Sequence, residues 1–350
     1  MENAWLIYAV AIILPLIISL ISVPLISRLA FVFKIIDDPK VASRKIHDRP
    51  IPLLGGWSFF IAVFLSLAVF RFCGWGNFSL ISDGFIFGVF LASLIIIIGG
   101  TLDDKYSLKP VQQIIFPVLA VLTALFFGLR INYITNPLEA DNVIHFGVIS
   151  GTVISGLWLL GMIYTTKFLD GLDGLVSGIA VIASLFIFLV SLRWDVPLSA
   201  TGLWALMLLG ASLGFLVFNY RPARIFLGEG GSVLIGFTLG MLSIISGSKI
   251  ITTLLVMGLP ILDVAWVIIS RLASGKSLFF GDRRHLHYRL LDFGFSRDQA
   301  VWLIWLLAVI FGAFGILSSS YGKLILVIAL VFLMFLISYT IARNNKKKNG

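Results

Sequence analysis

The hydrophobic positions of this chain fall into eleven long apolar stretches, separated by breaks that carry charges or Gly and Pro. An α-helix needs roughly 20 mostly apolar residues to cross the hydrocarbon core of a bilayer. The stretches cover residues 5–29, 56–72, 83–100, 112–129, 146–163, 172–192, 201–218, 231–247, 250–269, 299–318 and 322–342. The pattern predicts an all-α integral membrane protein with about eleven transmembrane helices in a single domain, 1–350.

Composition agrees with this assignment and narrows the class of protein. Hydrophobic residues make up 59% of the 350 residues and charged residues 12%, which is typical of a membrane protein. Cys73 is the single cysteine, so no internal disulfide can form. The first stretch follows no basic segment and is too long for a signal-peptide core, so we expect a retained span. We expect this chain to have membrane lipid, and not nucleic acid, as a partner.

The charges of the breaks predict an orientation. When breaks are assigned alternately to the two sides, all but five of the 26 basic residues fall on the side of the C-terminus. The exceptions are Arg71, Arg130, Arg193, Lys249 and Lys323. By the positive-inside bias, the C-terminus and its basic tail, 343–350, lie in the cytoplasm and the N-terminus lies outside. Most of the 17 acidic residues share the cytoplasmic side, although acids contribute little to orientation.

Two cytoplasmic segments in the first third of the chain could hold anions or a metal. The first, DDPKVASRKIHDRPIPLLGG at 37–56, is stiff and cationic. Its Lys45 could meet a phosphate, and Gly55 and Gly56 could approach a ligand or another helix. In the second, Asp103 and Asp104 end the third stretch, where buried carboxylates need water, a base or a cation. A hard divalent cation fits them, as does simple solvation at a helix end.

The segment FLDGLDGL at 168–175 carries two further acids, Asp170 and Asp173. Residues three apart share a helix face, so both carboxylates are predicted to point the same way at the start of the sixth span. A helix N-terminus stabilises acids and suits a nearby phosphate. The alternative is that an aspartate simply caps this helix.

Two later segments add aromatic, basic and histidine side chains. In FNYRPARIFLGEGGS, Phe226 could stack on a base, Asn219 could read its edge, and Arg224 and Glu229 could meet an anion and a metal. In GDRRHLHYRLLDFGFS, His285 and His287 lie among arginines and predict an anion site. A two-histidine zinc site and an interfacial basic helix are the alternatives there. Together these segments favour phosphoryl transfer on a lipid substrate.

The order and form of these motifs resemble the polyprenyl-phosphate N-acetylhexosamine-1-phosphate transferase superfamily, glycosyltransferase family 4. The matching segments are D-D-P-x-x-x-S-R-K-x-H-x-x-P-x-P-x-x-G-G, L-D-D-x-Y-S-L, F-L-D-G-L-D-G-L, N-x-x-P-A-R-I-F-L-G-E-x-G-S and H-L-H. They look closer to the undecaprenyl-phosphate GlcNAc-1-phosphate transferase branch, which serves lipopolysaccharide and teichoic acid synthesis, than to phospho-N-acetylmuramoyl-pentapeptide transferase. The resemblance implies transfer of a sugar-1-phosphate from UDP-GlcNAc or another UDP-N-acetylhexosamine to undecaprenyl phosphate, with release of UMP, in the bacterial inner membrane.

The resemblance also implies residue roles. Asp103 and Asp104 would be catalytic, with Asp103 deprotonating the attacking phosphate. Glu229, Asp104 and Asp173 would hold Mg²⁺, with Mn²⁺ as an alternative. Seven matching residues, Asp173 again among them, would bind the nucleotide sugar: Lys45, Asp170, Asp173, Asn219, Phe226, His285 and His287. A homodimer is a further expectation. Direct in-line attack is favoured over a covalent aspartyl intermediate.

This chain departs from the resembled pattern at several positions. Tyr164 and Lys167 stand where the family usually has asparagines, and Ser107, Glu229 and Tyr288 replace an aspartate, an aspartate and a histidine. Lys167 brings a cation where the family has a neutral amide, so it is the main candidate for a modified site, with Arg224 as a second modifier. A flippase, or a relative that binds lipid or nucleotide without catalysis, remain as other classes.

Overall fold

The computed structural model of the chain describes residues 2–39, 49–79, 81–136, 142–245, 250–275 and 285–349. The helices are α1 (Glu2–Val32), α2 (Gly55–Phe72), α3 (Asp83–Tyr106), α4 (Pro110–Phe126), α5 (Val148–Leu169), α6 (Leu175–Trp194), α7 (Ala200–Asn219), α8 (Gly228–Ile245), α9 (Ile250–Val256), α10 (Gly258–Ala273), α11 (Leu286–Phe293), α12 (Arg297–Leu317) and α13 (Ser320–Asn349). The strands are β1 (Ile36–Asp37), β2 (Ile51–Pro52), β3 (Tyr133–Thr135) and β4 (Val143–His145).

The all-α membrane fold is confirmed, and each of the eleven predicted stretches falls on a helix or a helix pair. Within the described residues, nine helices are long and apolar enough to cross a membrane. The ninth stretch is two helices, because α9 and α10 meet at an angle of 76°. The fourth stretch falls on the apolar helix α4, which at 17 residues is shorter than the nine. The orientation of the two chain ends stays a prediction.

The break between α9 and α10 has a local cause in the sequence. Pro260 lies in the first turn of α10, two residues after Gly258, where the helix begins. Proline has no backbone N–H and its ring clashes with the preceding turn of a continuous helix, but it is tolerated in a helix's first turn. The chain therefore starts a new helix at this point instead of continuing α9.

Burial separates inner helices from outer ones. In α8 and α7 the most apolar windows are 89% and 78% buried, whereas in α13 the figure is 11%. The outward side chains of α1, α12 and α13 are large and apolar, with Trp5, Trp302 and Phe332 among the exposed ones. Exposed side chains of this kind are expected where lipid is the solvent. The centre of the bundle is thus α7 and α8.

Glycines bring α8 unusually close to two neighbours. A Cβ on Gly100 of α3 would collide with the backbone of Gly230, and one on Gly56 of α2 would lie 2.5 Å from the nitrogen of Gly231. Small residues let helix backbones touch in membranes. Of the two predicted uses of Gly55 and Gly56, contact with a neighbouring helix is therefore the one observed. This packing sets the first turn of α8 beside the last turn of α3.

The strands tie loops at the two ends of the bundle. β1 pairs antiparallel with β2, so Ile36 lies opposite Pro52 and the ends of the first loop are held together. Pro52 also accepts a hydrogen bond from the backbone N–H of Phe226, at 2.9 Å. The second pair, β3 with β4, lies between α4 and α5. The first pair therefore joins the loop after α1 to the segment before α8.

Candidate active site

Four of the predicted motifs line one cavity of about 740 Å³ at a single end of the bundle. We call it the polar cavity. Its charged lining residues are Lys34, Asp37, Asp38, Asp103, Asp104, Lys105, Asp170, Asp173, Glu229 and Arg297. Among the described lining residues, carboxylates outnumber basic groups, so this part of the lining favours cations. The prediction that these loops meet on one side of the bundle is confirmed, whereas the identity of that side stays a prediction.

The two aspartates of α3 lie inside its last turn and have different partners. Asp103 Oδ1 accepts hydrogen bonds from the backbone N–H of Leu108, at 2.8 Å, and from Gln113 Nε2, at 3.1 Å. Asp104 accepts the backbone N–H of Glu229, which lies 3.1 Å from both of its carboxylate oxygens. The free N–H groups of a helix's first turn stabilise a nearby anion. Asp104 is thus held by α8, and Asp103 by the start of α4.

Gly228 makes the contact between Asp104 and α8 feasible. Its φ is +69°, which L side chains rarely adopt, and a Cβ there would collide with the Leu53 carbonyl and with Asp104 Oδ2. Only glycine fits a left-handed backbone that is also approached this closely. The glycine before Glu229 is therefore part of the geometry that positions Asp104.

Asp170 and Asp173 do not start a helix, so the predicted helical face is wrong. Asp170 is the residue after α5, and α6 begins only at Leu175, after Gly174 with a φ of +77°. The capping alternative is also wrong, because the residue preceding α6 is a glycine with no side-chain cap. The two acids lie in a tight turn instead. Asp173 Oδ2 accepts the backbone N–H of Ala223, at 3.1 Å, and so holds the loop after α7.

The surroundings of Asp170 disfavour its ionised carboxylate. Its side chain is open to the cavity yet recessed among protein atoms. Desolvation, the largest cause, and the negative charges of Glu229 and Asp173 together raise the pKa of Asp170 to about 7. Desolvation and like charges both disfavour an ionised carboxylate. An added cation would relieve the repulsion.

Glu229 forms an ion pair that the sequence did not predict. Its carboxylate contacts the ammonium of Lys167, in the last turn of α5. Lys167 Nζ also donates to Gln113 Oε1, at 3.2 Å. The sequence marks Lys167 only as a modified position, and the structure gives Glu229 as its partner. The partners lie 62 positions apart along the chain, so no local pattern could reveal the pair.

The predicted metal ligands do not form a ready-made three-ligand set. Among the described residues, no three His, Cys, Asp or Glu side chains lie close enough together to hold a metal ion. Magnesium is nevertheless commonly held by one or two carboxylates plus substrate phosphates and water. The carboxylates around the polar cavity fit that chemistry. The individual metal roles of Glu229, Asp104 and Asp173 stay predictions.

Asn219 and Phe226 occupy different places relative to the polar cavity. Phe226 lines it. Asn219 is buried and lies outside its lining, where Oδ1 accepts from Gly174 N–H, at 3.1 Å, and from Ser177 Oγ, at 2.8 Å, and Nδ2 donates to the Ile225 carbonyl, at 3.0 Å. Its amide therefore joins the end of α7 to the DGLDG turn. Recognition of a base edge by Asn219 stays a prediction, as does stacking on Phe226.

The two histidines pack behind the DGLDG turn. His285 Nδ1 lies 2.9 Å from Asp263 Oδ2, and Asp263 Oδ1 accepts the backbone N–H of Leu286, at 2.8 Å. His287 is 1% exposed, and neither ring nitrogen has a hydrogen-bond partner among the described residues. Burial, the larger cause, and the nearby His285 together lower the pKa of His287 to about 3. His287 is therefore a neutral imidazole, able to offer hydrogen bonds but no positive charge.

Asp263 is a site residue that the sequence analysis missed. It lies in α10, inside an apolar stretch, and is 3% exposed. An ionisable side chain within an apolar span is a signal of function or of a specific partner. Here the partner is the His285 segment, which Asp263 fastens to α10.

Of the other predicted residues, Arg224 is exposed and does not line the cavity, and its backbone N–H donates to the Phe218 carbonyl, at 2.8 Å. Lys45 lies outside the described residues. The modifier role of Arg224 and the contact of Lys45 with the nucleotide sugar stay predictions.

An apolar groove of about 620 Å³ adjoins the polar cavity. Its walls come from α4, α5 and α10, with Ile114, Leu157 and Ile268 among the lining side chains. Gln113 lines both the groove and the polar cavity. A long hydrocarbon chain fits such a surface, since it buries apolar area. The two spaces together can take one polar and one lipid reactant.

Comparison with known proteins agrees with this geometry. A family model described as Glycosyl transferase family 4 matches residues 86–247, which include Asp103, Asp104, Asp170, Asp173 and Glu229. The matched segment runs from the first turn of α3 to the end of α8. The similarity to this family thus covers most of the polar cavity.

Several named relatives extend the similarity along the chain. A "probable undecaprenyl-phosphate N-acetylglucosaminyl 1-phosphate transferase" of Bacillus subtilis (strain 168) is 28% identical, over 97% of this chain and 94% of the relative. An undecaprenyl-phosphate alpha-N-acetylglucosaminyl 1-phosphate transferase of Thermotoga maritima is 29% identical, over 84% and 86%. A decaprenyl-phosphate N-acetylglucosaminephosphotransferase of Mycolicibacterium smegmatis is 26% identical, over 84% and 79%.

Proposed function

We propose that this protein transfers GlcNAc-1-phosphate from UDP-GlcNAc to undecaprenyl phosphate, with release of UMP. The observation that carries the proposal is the junction of a carboxylate-lined cavity with an apolar groove at one end of a membrane bundle. The relatives are named for the same acceptor and sugar phosphate, and they match over most of their length. The nucleotide of the donor is our inference from the resemblance of the motifs.

The transfer forms one bond and breaks one. An oxygen of the acceptor phosphate attacks the phosphorus that carries the sugar, and the bond from that phosphorus to the bridging oxygen breaks. UMP leaves with the electron pair, and the lipid carries a diphosphate linked to GlcNAc. Asp103 is the proposed group that keeps the attacking phosphate deprotonated. Catalysis of this kind depends mainly on positioning and on charge stabilisation.

Magnesium is the proposed cofactor, with manganese as an alternative. Asp104, Asp173 and Glu229 are the residues that would hold it, together with donor phosphates and water. When bound, a divalent cation would neutralise charge on the transferring phosphates. The raised pKa of Asp170 supports a cation in the polar cavity, because desolvation and the negative charges of Glu229 and Asp173 disfavour its ionised carboxylate.

We also propose the cytoplasmic membrane as the location and its cytoplasmic face as the side of the cavity. The support is the charge distribution, since the loops around the cavity belong to the side with most of the basic residues. A flippase is less well supported, because coupling sites in transporters usually lie near the midplane of the bilayer. The carboxylates of this cavity lie at helix ends instead.

A donor panel tests the proposal. Purified protein in nanodiscs with Mg²⁺ and undecaprenyl phosphate is given radiolabelled UDP-GlcNAc, UDP-GalNAc or UDP-MurNAc-pentapeptide. We expect lipid-linked product and UMP with UDP-GlcNAc and loss of both with EDTA. Binding of a UDP-sugar without UMP release would indicate a non-catalytic relative, and turnover only with UDP-MurNAc-pentapeptide would overturn the sugar assignment.

A further inference from the structure

Lys167 lies where the apolar groove meets the polar cavity. It belongs to the last turn of α5 and lines the groove. Among the described residues that line the groove, Lys167 is the only one with a charged side chain. Gln113, its hydrogen-bond partner, lines both spaces. A lipid lying in the groove with its head group toward the cavity would therefore meet this ammonium first.

The partners of Lys167 leave it able to take one more. An ammonium has three N–H donors. One contacts Glu229 and one contacts Gln113, and the ammonium also lies 5.9 Å from the centre of the Tyr164 ring. The third N–H therefore has no hydrogen-bond acceptor among the described contacts. The lysine and glutamate side chains are 15% and 21% exposed, respectively. The pair is thus shielded enough to hold its geometry and still reachable by a ligand.

An anionic acceptor at this position needs a nearby cation to offset the negative charges of the carboxylates. A phosphate monoester that leaves the groove approaches a cavity whose nearest carboxylates, Asp103 and Glu229, repel it. The basic residues of the cavity lining are Lys34, Lys105 and Arg297, and none of them lines the groove. Lys167 alone among the described lining residues can offset the repulsion at the boundary.

We propose that Lys167 binds the phosphate of the lipid acceptor through its remaining N–H, and that Glu229 and Gln113 hold the ammonium in position for it. This inference rests on the proposed function. It makes Lys167 the residue that distinguishes a phosphorylated polyprenol from the neutral alcohol. A charge-assisted hydrogen bond to phosphate is stronger than a neutral one.

The test measures binding without turnover. Purified protein in nanodiscs, with EDTA and without nucleotide sugar, is titrated with undecaprenyl phosphate and with undecaprenol. We expect the unmodified chain to prefer the phosphate, and Lys167→Gln to lose about tenfold of that preference, as one charged hydrogen bond predicts. Lys167→Arg should keep most of it. Lys109→Gln, an exposed lysine at the start of α4, is the matched control and should behave as the unmodified chain.

A double variant separates the ammonium from net charge. Lys167→Gln with Glu229→Gln keeps the total charge of the pair at zero. We expect it to lose the preference for phosphate as Lys167→Gln does, whereas a simple charge effect would restore the preference. Retained binding of undecaprenol by each variant shows that the groove is still folded.

An unchanged phosphate preference in Lys167→Gln would overturn the inference. If that variant also shifted the Mg²⁺ concentration needed for UMP release, Lys167 would be a competitor of the metal at Glu229. Failure of the proposed function looks different, because the unmodified chain would then release no UMP with any donor while these binding results could still be read.

Discussion

The polar cavity and the apolar groove are close in size, about 740 and 620 Å³, and they share Gln113, yet their linings are opposite in character. The cavity is built from helix ends and turns rich in carboxylates. The groove is built from the sides of three helices, and its described lining carries one charge, that of Lys167. The difference indicates that specificity for the head group and for the chain of the substrates is set by separate structures, which can be altered one at a time.

The largest expected effect lies in the cavity. Asp104→Asn keeps an acceptor for the Glu229 N–H and removes a charge, so the fold should survive. We expect UMP release to fall by about 10²–10³-fold, the usual cost of losing one electrostatic group in an active site. Asp83→Asn is the control, since Asp83 starts the same helix and pairs with exposed Arg71. A rate of UMP release for Asp104→Asn within twofold of that control would show that Asp104 is not a catalytic residue.

A smaller effect is expected in the groove. Gly161 lines it, and a Cβ there would meet nothing within 4 Å. Gly161→Phe should fill part of the groove and raise KM for undecaprenyl phosphate by about tenfold, since apolar contact area is lost. KM for UDP-GlcNAc should stay unchanged. Val153→Phe, at an exposed position of the same helix, controls for added bulk, and equal effects of the two substitutions would count against the groove as the acceptor site.

The smallest effect concerns stability. In the folded chain the pKa of Asp170 is raised to about 7 from an ordinary value of 3.8. Its ionisation therefore costs stability progressively as pH rises from about 4 to about 7, and the full cost persists above that. Asp170→Asn should raise the unfolding temperature at pH 8 in EDTA by on the order of 2–4 °C, with no gain at pH 4.

The control for this measurement is Asp298→Asn, which removes a carboxylate that is paired with Arg221. We expect no rise in unfolding temperature for that variant. A rise in both variants, or a rise that is the same at the two pH values, would show that repulsion around Asp170 is not its cause.

The sequence predicted the spans well and the site only in outline. The length and hydropathy of an apolar stretch are local properties, so the eleven stretches were found. The start of α6 was misplaced because Gly174 takes a left-handed backbone that no pattern of acids reveals. The pairing of Lys167 with Glu229 depends on how α5 packs against α8, and the bend before Gly258 looked like a continuous span.

Asp263 shows a different kind of failure. It lies inside the ninth apolar stretch, and nothing in that pattern assigns it a partner. Its partner, His285, is known only when α10 and α11 are placed together. Buried polar contacts between distant segments are the part of this site that composition and spacing do not encode.

The short helix α4 has a consequence for the bilayer itself. Its 17 residues rise about 25 Å, less than the roughly 30 Å of a typical hydrocarbon core. Such a mismatch is met by local thinning of the membrane or by flanking residues that reach for the interface. Because α4 forms a wall of the groove and begins at Pro110 beside it, thinning there would draw the lipid head groups toward Lys167. The protein would then deform the membrane at the place where its acceptor must enter.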